Sequence, residues 1–319
     1  MEKSENKRVD VGIIRKISDT LSGIGNYASK KSERGLYKTM QKTECISLCE
    51  IMHDLYQKEP NVEKLIDRAC KEAGFSKCER IYFGSSFCGQ YFLNMSKKEI
   101  NLLVEACKKQ NIKLTMVLPI FTEKHLERAK KKIESYISEL KEVLDEVTVN
   151  DYGMLVYLHT HYSHLKLNMG RLFMKDYRDP RYEDYFNQTL KPKAFTTYLK
   201  KLVQDYHIGS IEFDPSHKSI DMSEKPEGVI IALYTPYCYE TVGQICQMAG
   251  ISQPIEKKFR PNEPCQQECN THKIHYFIEE GHTWLKLGRA IYFKNESCEI
   301  KGVNCMRVIY SLLDWEVEQ

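Results

Sequence analysis

The chain has 319 residues, 42% of them apolar and 29% charged, and a formal net charge of +3. That length suits one large barrel or two ordinary domains, and that charge does not by itself announce a nucleic-acid partner. No run approaches the roughly 18 apolar residues of a membrane span, and the charged start (residues 1–8) has no apolar stretch behind it, so neither a membrane anchor nor a secretory signal is expected.

Residues 1–45 are polar, with Gly and Ser scattered among Lys, and read as an N-terminal arm. From 46 the rhythm changes. Short apolar or β-branched runs at 81–84, 113–120, 146–150, 166–170, 208–213 and 228–234 predict strands. Between them, charged periodic stretches such as 97–110 and 122–144 predict helices. Thr122 is a plausible N-cap, but His125 three residues on leaves the capping box incomplete. Six strand–helix repeats argue a parallel sheet with helices outside. With this length and no dinucleotide fingerprint, the expected class is α/β, a (β/α) TIM-barrel-like fold over 46–275. Beyond about 235 the rhythm gives way to the Pro- and Cys-bearing stretch 236–275, read as a long functional loop. Residues 276–319 (AIYF, MRVIY) predict a small C-terminal β extension.

Twelve cysteines are many for a chain expected in a reducing cytoplasm, and clustered ones read there as metal or redox groups before disulfides. Cys70 and Cys107 lie in helical patterns and read as small buried hydrophobes. Cys45 and Cys49 have helical i, i+4 spacing and read as packing, with ligation a lesser alternative. The strongest set is Cys238, Cys246, Cys265 and Cys269. Four thiolates can close a tetrahedral zinc site or hold a 4Fe–4S cube. Zinc ligands usually come in close pairs, and only Cys265 and Cys269 form one, so spacing leans towards the cluster and leaves zinc open. Cys88 follows the strand at 81–84, so it and Cys238 belong to the strand-end rim where such barrels carry function. Cys298 and Cys305 are outside candidates.

Other residues fall at strand ends. Asn150 and Asp151 follow one strand, Arg171 another, and Glu212 and Asp214 bracket a third. They either orient a polar substrate and move protons, with Asp151, Arg171 and Glu212 as the catalytic candidates, or cap helices and pair inside the barrel. Arg171, Arg178 and Arg181 with Asp179 form a charged stretch that would clamp a carboxylate or phosphate, or lie in a solvated loop. His159, His161 and His164 read as an exposed helix end.

Four stretches in order resemble the collagenase-like peptidase family U-thirty-two: IYFGSSFC, VTVNDYGMLVYL, GQICQMAG and CQQEC. The similarity spans roughly 75–300 and is greatest to its UbiU/UbiV-like iron–sulfur branch. It implies a barrel, a 4Fe–4S cluster, and oxygen-independent hydroxylation or a related oxidative modification of a small molecule or an RNA base. It also implies a possible heteromeric partner of the same family. In one pattern of that branch the ligands map to Cys88, Cys246, Cys265 and Cys269. In the other, Cys238 replaces Cys88 and a late cysteine replaces Cys269. The Glu-Xaa-Phe-Xaa-His-Gly stretch of the peptidase-labelled members is missing here, which lowers a zinc-stabilised peptidase to a weaker alternative. A non-catalytic, cluster-carrying electron-transfer or scaffold subunit is the other alternative.

Overall fold

The computed structural model describes residues 41–174, 189–190, 192, 195–215, 219–251, 253–258, 260, 265–277, 283–295 and 298–313. Arg178, Asp179 and Arg181, and the arm up to residue 40, lie outside the described residues. Eight parallel strands close a barrel: β1 (Gln41–Ser47), β2 (Arg80–Gly84), β3 (Lys113–Leu118), β4 (Leu144–Val149), β5 (Lys166–Met169), β7 (Ser210–Phe213), β9 (Ile230–Thr235) and β15 (Cys305–Ser311). Their order around the barrel is their order along the chain, with β15 closing against β1. This is the α/β barrel expected from the alternation of strand and helix patterns.

Two boundaries differ from expectation. The barrel starts inside the supposed polar arm, because KTECIS pairs in parallel with both β2 and β15. The expected C-terminal extension is divided: MRVIY is the eighth barrel strand, not an appendage. The appended sheet is instead β10 (Tyr237–Val242), β13 (Ala290–Lys294), β12 (Thr283–Leu287) and β11 (Ile274–Phe277), antiparallel in that order. Three short strands, β14 (Ile300–Lys301), β8 (Ser219–Asp221) and β6 (Thr189–Leu190), pair in parallel beside them in sequence.

Local chemistry explains the helices. Asn61, Ser96, Asp151 and Thr196 each accept a hydrogen bond from the backbone N–H three residues on, satisfying a donor the helix cannot. Gly74 and Asn111 end two helices in the left-handed conformation. Thr122 is an N-cap without a side-chain cap bond; its hydroxyl pairs with His125 at 3.0 Å. Helix Glu123–Glu139 stops before the expected 144, because Leu144 already begins β4.

The barrel interior carries its own small apolar cluster of Cys45, Cys49, Tyr82, Val117, Ala232, Tyr234 and Ile309. Cys45 and Cys49 therefore pack, though Cys45 lies on a strand and Cys49 in the turn after it rather than on a helix. The rest of the interior is polar and largely paired, with Asn168 Oδ1 and Ser210 Oγ left without a partner among the described residues. Glu146 accepts from Arg307 at 2.6 and 2.7 Å, from Asn168 at 3.0 Å and from Thr115 at 3.3 Å, with Arg80 3.4 Å away. Among the described residues no helix is long and apolar enough to cross a membrane.

Candidate functional site

The site grows from the C-terminal ends of β1 and β2. Gly84 ends β2 at φ +116°, and a Cβ there would meet the Val117 carbonyl oxygen at 2.3 Å. Only glycine makes that turn. It swings Ser85, Ser86, Phe87 and Cys88 across the rim, where Cys88 caps the short helix Gly89–Asn94. Glu50, three residues past β1, adopts φ +66°, unusual for a non-glycine residue. Its Oε1 accepts from the Ser85 hydroxyl at 2.8 Å, from the Phe87 N–H at 3.2 Å and from the Ser86 N–H. The Ser85 hydroxyl oxygen in turn accepts from the Cys88 N–H at 2.8 Å. Burial raises the Glu50 carboxyl above its ordinary range.

Above this loop lies a cleft covered by the Cys-bearing segment and the β12–β13 hairpin. Cys88, Cys246, Cys265 and Cys269 all line it. Burial raises the Cys88 thiol, against the opposing charge of Arg289. Burial likewise pushes Cys265 up to about 12, and raises Cys269 further, with Cys88, Cys265 and Cys246 adding to the effect on Cys269. Cys88, Cys265 and Cys269 thus share one electrostatic neighbourhood, and burial keeps these three protonated until a metal or a cation takes up the thiolate charge. Asn94 Nδ2 donates to the Cys265 carbonyl at 3.4 Å, tying the loop to the β2 rim. Among the described residues no three His, Cys, Asp or Glu side chains converge on a single-ion position. The donor set, four soft thiols on one cavity, fits a thiolate-bound metal group in number and chemistry.

The fifth candidate stands elsewhere. Cys238 lies on β10, fully buried, and its thiol donates to the Pro215 carbonyl at 3.0 Å. It does not line the cysteine cavity. Cys298 lines a different cleft, and Cys305 opens β15 at the opposite end of the barrel from the rim. Cys107 is fully buried as expected, whereas Cys70 is only half-buried and neighbours Cys78.

The three acid–base candidates are also outside the cavity lining. Asp151 caps helix Tyr152–His161, accepting from the Met154 N–H at 2.8 Å. Arg171 is 2% exposed and forms a bidentate pair with Asp214 through Nε (3.0 Å) and Nη2. Its guanidinium sits among Tyr234, Phe87, Tyr239 and Tyr292, 4.1 to 5.9 Å from their ring centres. Glu212 is enclosed in the barrel, accepting from Thr148 at 2.6 Å and Tyr234 at 3.2 Å. Burial pushes its carboxyl up to about 7. His161 ends its helix exposed, its Nδ1 2.8 Å from the Tyr157 carbonyl.

Sequence reasoning missed Glu50, Arg289 and Tyr292, which do line the cavity. Glu50 was legible in principle as a residue just past a strand, had KTECIS been read as β1. Arg289 sits in the two-residue turn between β12 and β13, a Gly-Arg pair flanked by apolar alternation (LKLGRAIYF). Comparison with known protein families and with curated proteins returns no match for this chain.

Proposed function

We propose that the chain is a cytoplasmic iron–sulfur protein akin to the U-thirty-two peptidase-like family, holding a 4Fe–4S cluster and carrying out an oxygen-independent hydroxylation or related oxidative modification. The observation that supports this reading is that Cys88, Cys246, Cys265 and Cys269 all line one rim cavity. When bound there, such a cluster supplies one-electron transfer. The chain's own residues would do the rest. The Ser85–Glu50 network fixes the loop that presents Cys88. Phe87 and Tyr292 wall the cavity from the barrel interior, each packing beside Arg171. Glu50 has one carboxylate oxygen outside that network, available to a ligand in the cavity.

One observation favours a second reading, an electron-carrying subunit without turnover of its own. Asp151, Arg171 and Glu212 are engaged as a cap, an ion pair and an interior hydrogen-bond acceptor, which leaves Glu50 as the acid–base group lining the cavity. The two readings separate on turnover with a reductant or an organic oxygen donor, which the subunit alone would lack.

The test is anaerobic purification with iron, sulfide and zinc analysis. About four irons and four sulfides per chain, with visible absorption bleached by dithionite, are expected. Alanine at Cys88, Cys246, Cys265 or Cys269 should each abolish that absorption, and Cys238→Ala should retain it. One zinc and no iron would reject the redox reading in favour of a structural metal.

A further inference from the structure

Arg289 is a buried cation without a counter-charge among the described residues. It is 6% exposed. Its backbone is anchored: the carbonyl accepts from the Gly243 N–H at 3.1 Å and from Lys286 Nζ at 3.3 Å. One arm of the guanidinium, Nη1, donates to Gln244 Oε1 at 3.4 Å. Its Nε is buried with no hydrogen-bond partner, and among the described residues it makes no ion pair. An enclosed guanidinium without a counter-charge is strongly unfavourable, so the arrangement makes physical sense only if an anion completes it.

A second residue of the same lining also carries a buried donor. The Tyr292 hydroxyl is fully buried and has no partner either. Arg289 and Tyr292 both line the cavity, one at the tip of the hairpin and one on β13. The described lining also carries Lys257 and Arg260, against a single carboxylate, Glu50. The cavity is therefore cationic, with two directional donors unused. A guanidinium and a hydroxyl with unused donors in one cavity lining suit an oxyanion better than they suit diffuse charge balance.

We propose that Arg289 and the Tyr292 hydroxyl form an oxyanion-binding subsite, which takes the carboxylate or phosphate group of the small molecule on which the protein acts. The assignment rests on the reading of this cavity as the functional site. It also replaces Arg171 as the anion-binding arginine, since Arg171 is already committed to Asp214. The competing role for Arg289 is to balance thiolate charge beside Cys88.

The experiment is calorimetric titration of the anaerobically purified full chain with malonate and, separately, inorganic phosphate at constant ionic strength. Iron and sulfide are measured on the same samples. Saturable binding of at least one probe is expected, and the preferred probe separates a carboxylate from a phosphate ligand. Arg289→Gln should weaken it about tenfold or more, and Tyr292→Phe about threefold. Arg289→Lys, which keeps the charge and loses the planar fork, should stay near the glutamine variant. Should Arg289→Gln fail to fold, Tyr292→Phe and Arg289→Lys carry the test. The subsite is overturned if neither probe binds folded wild type, if all variants bind alike, or if lysine restores full affinity. It is also overturned if Arg289→Gln loses iron while keeping its anion affinity, which would assign Arg289 to the metal group. Anion binding in a sample without iron or sulfide would sink the cluster reading and leave the subsite standing; a full cluster without anion binding would do the reverse.

Discussion

Three of the four buried arginines among the described residues live in opposite surroundings. Arg307 and Arg171, 7% and 2% exposed, each meet a carboxylate through two nitrogens inside the barrel or at its mouth. Arg289, 6% exposed, meets an amide oxygen at 3.4 Å and a cavity. The barrel interior is a closed account of charge: its ions answer one another, which defines a rigid scaffold. The rim cavity holds cysteines, cations and a glutamate in the left-handed region that has one carboxylate oxygen tied to the Ser85–Phe87 loop, and among the described residues Arg289 there has no counter-ion. Buried polarity in this molecule is therefore not itself a sign of function; a buried cation without a counter-charge is the sharper one, since the interior also holds neutral atoms without partners among the described residues, Asn168 Oδ1 and Ser210 Oγ.

The comparison breaks most directly at Glu146. Removing its charge while keeping its shape (Glu146→Gln) leaves Arg307 enclosed without a counter-ion, while Arg80 keeps Asp145 at 2.7 Å, a loss of about 3–5 kcal/mol. Urea unfolding should show it as a lower midpoint at unchanged slope. A loss below about 1 kcal/mol would mean that the interior pair is not what holds the barrel, since that is the range of an exposed pair.

A smaller effect, and one that depends on pH, belongs to Glu212. Its carboxyl is raised by burial from 4.5 to about 7 in the folded protein. The folded state therefore binds the proton more tightly than the unfolded chain does. The resulting stability is fully present below about pH 4.5 and is lost as pH rises to about 7, amounting to about 3 kcal/mol over that window. Glu146 and Asp145 have lowered carboxyls, with the opposite sign and a more acidic window. The measurement is thus the difference between wild type and Glu212→Gln across pH 4–8. That difference should decline with rising pH; a flat one would show that Glu212 is not held protonated by its burial.

The barrel was legible because helix and strand periods alternate cleanly from β2 to β9, and the strand ends at Gly84 and Arg171 mark the rim. Its first and last strands were not. KTECIS carries Lys, Thr and Glu that read as a polar arm, yet it pairs with β15 along its length and with β2 through Cys45, Ile46 and Ser47. MRVIY reads as a strand, but nothing in it says which sheet it joins, because that choice is made by pairing across more than 260 residues, as with Cys45 and Ile309. The same limit governs the site. Cys88 and Cys269 were each visible as cysteines, but only chain closure brings them to one cavity. Cys238 was attractive by spacing and is separated from that cavity because β10 carries it into the packed sheet. Asp151, Arg171 and Glu212 were found by the strand-end rule, which locates the rim and cannot distinguish a residue facing a ligand from one already engaged.

Asp151 gives the smallest and sharpest separation of those roles. Its carboxylate caps a ten-residue helix through the Met154 N–H, a role asparagine reproduces and alanine does not. If capping is all it does, Asp151→Ala should cost about 1 kcal/mol and Asp151→Asn much less, with neither changing metal content or anion affinity. If it is a proton carrier, the ranking inverts in a specific way. Asparagine would keep the stability and lose turnover as completely as alanine, because an amide caps a helix but does not exchange a carboxyl proton. Thermal unfolding and turnover measured on the same two variants therefore decide whether Asp151 belongs with the self-contained scaffold or with the incompletely partnered cavity.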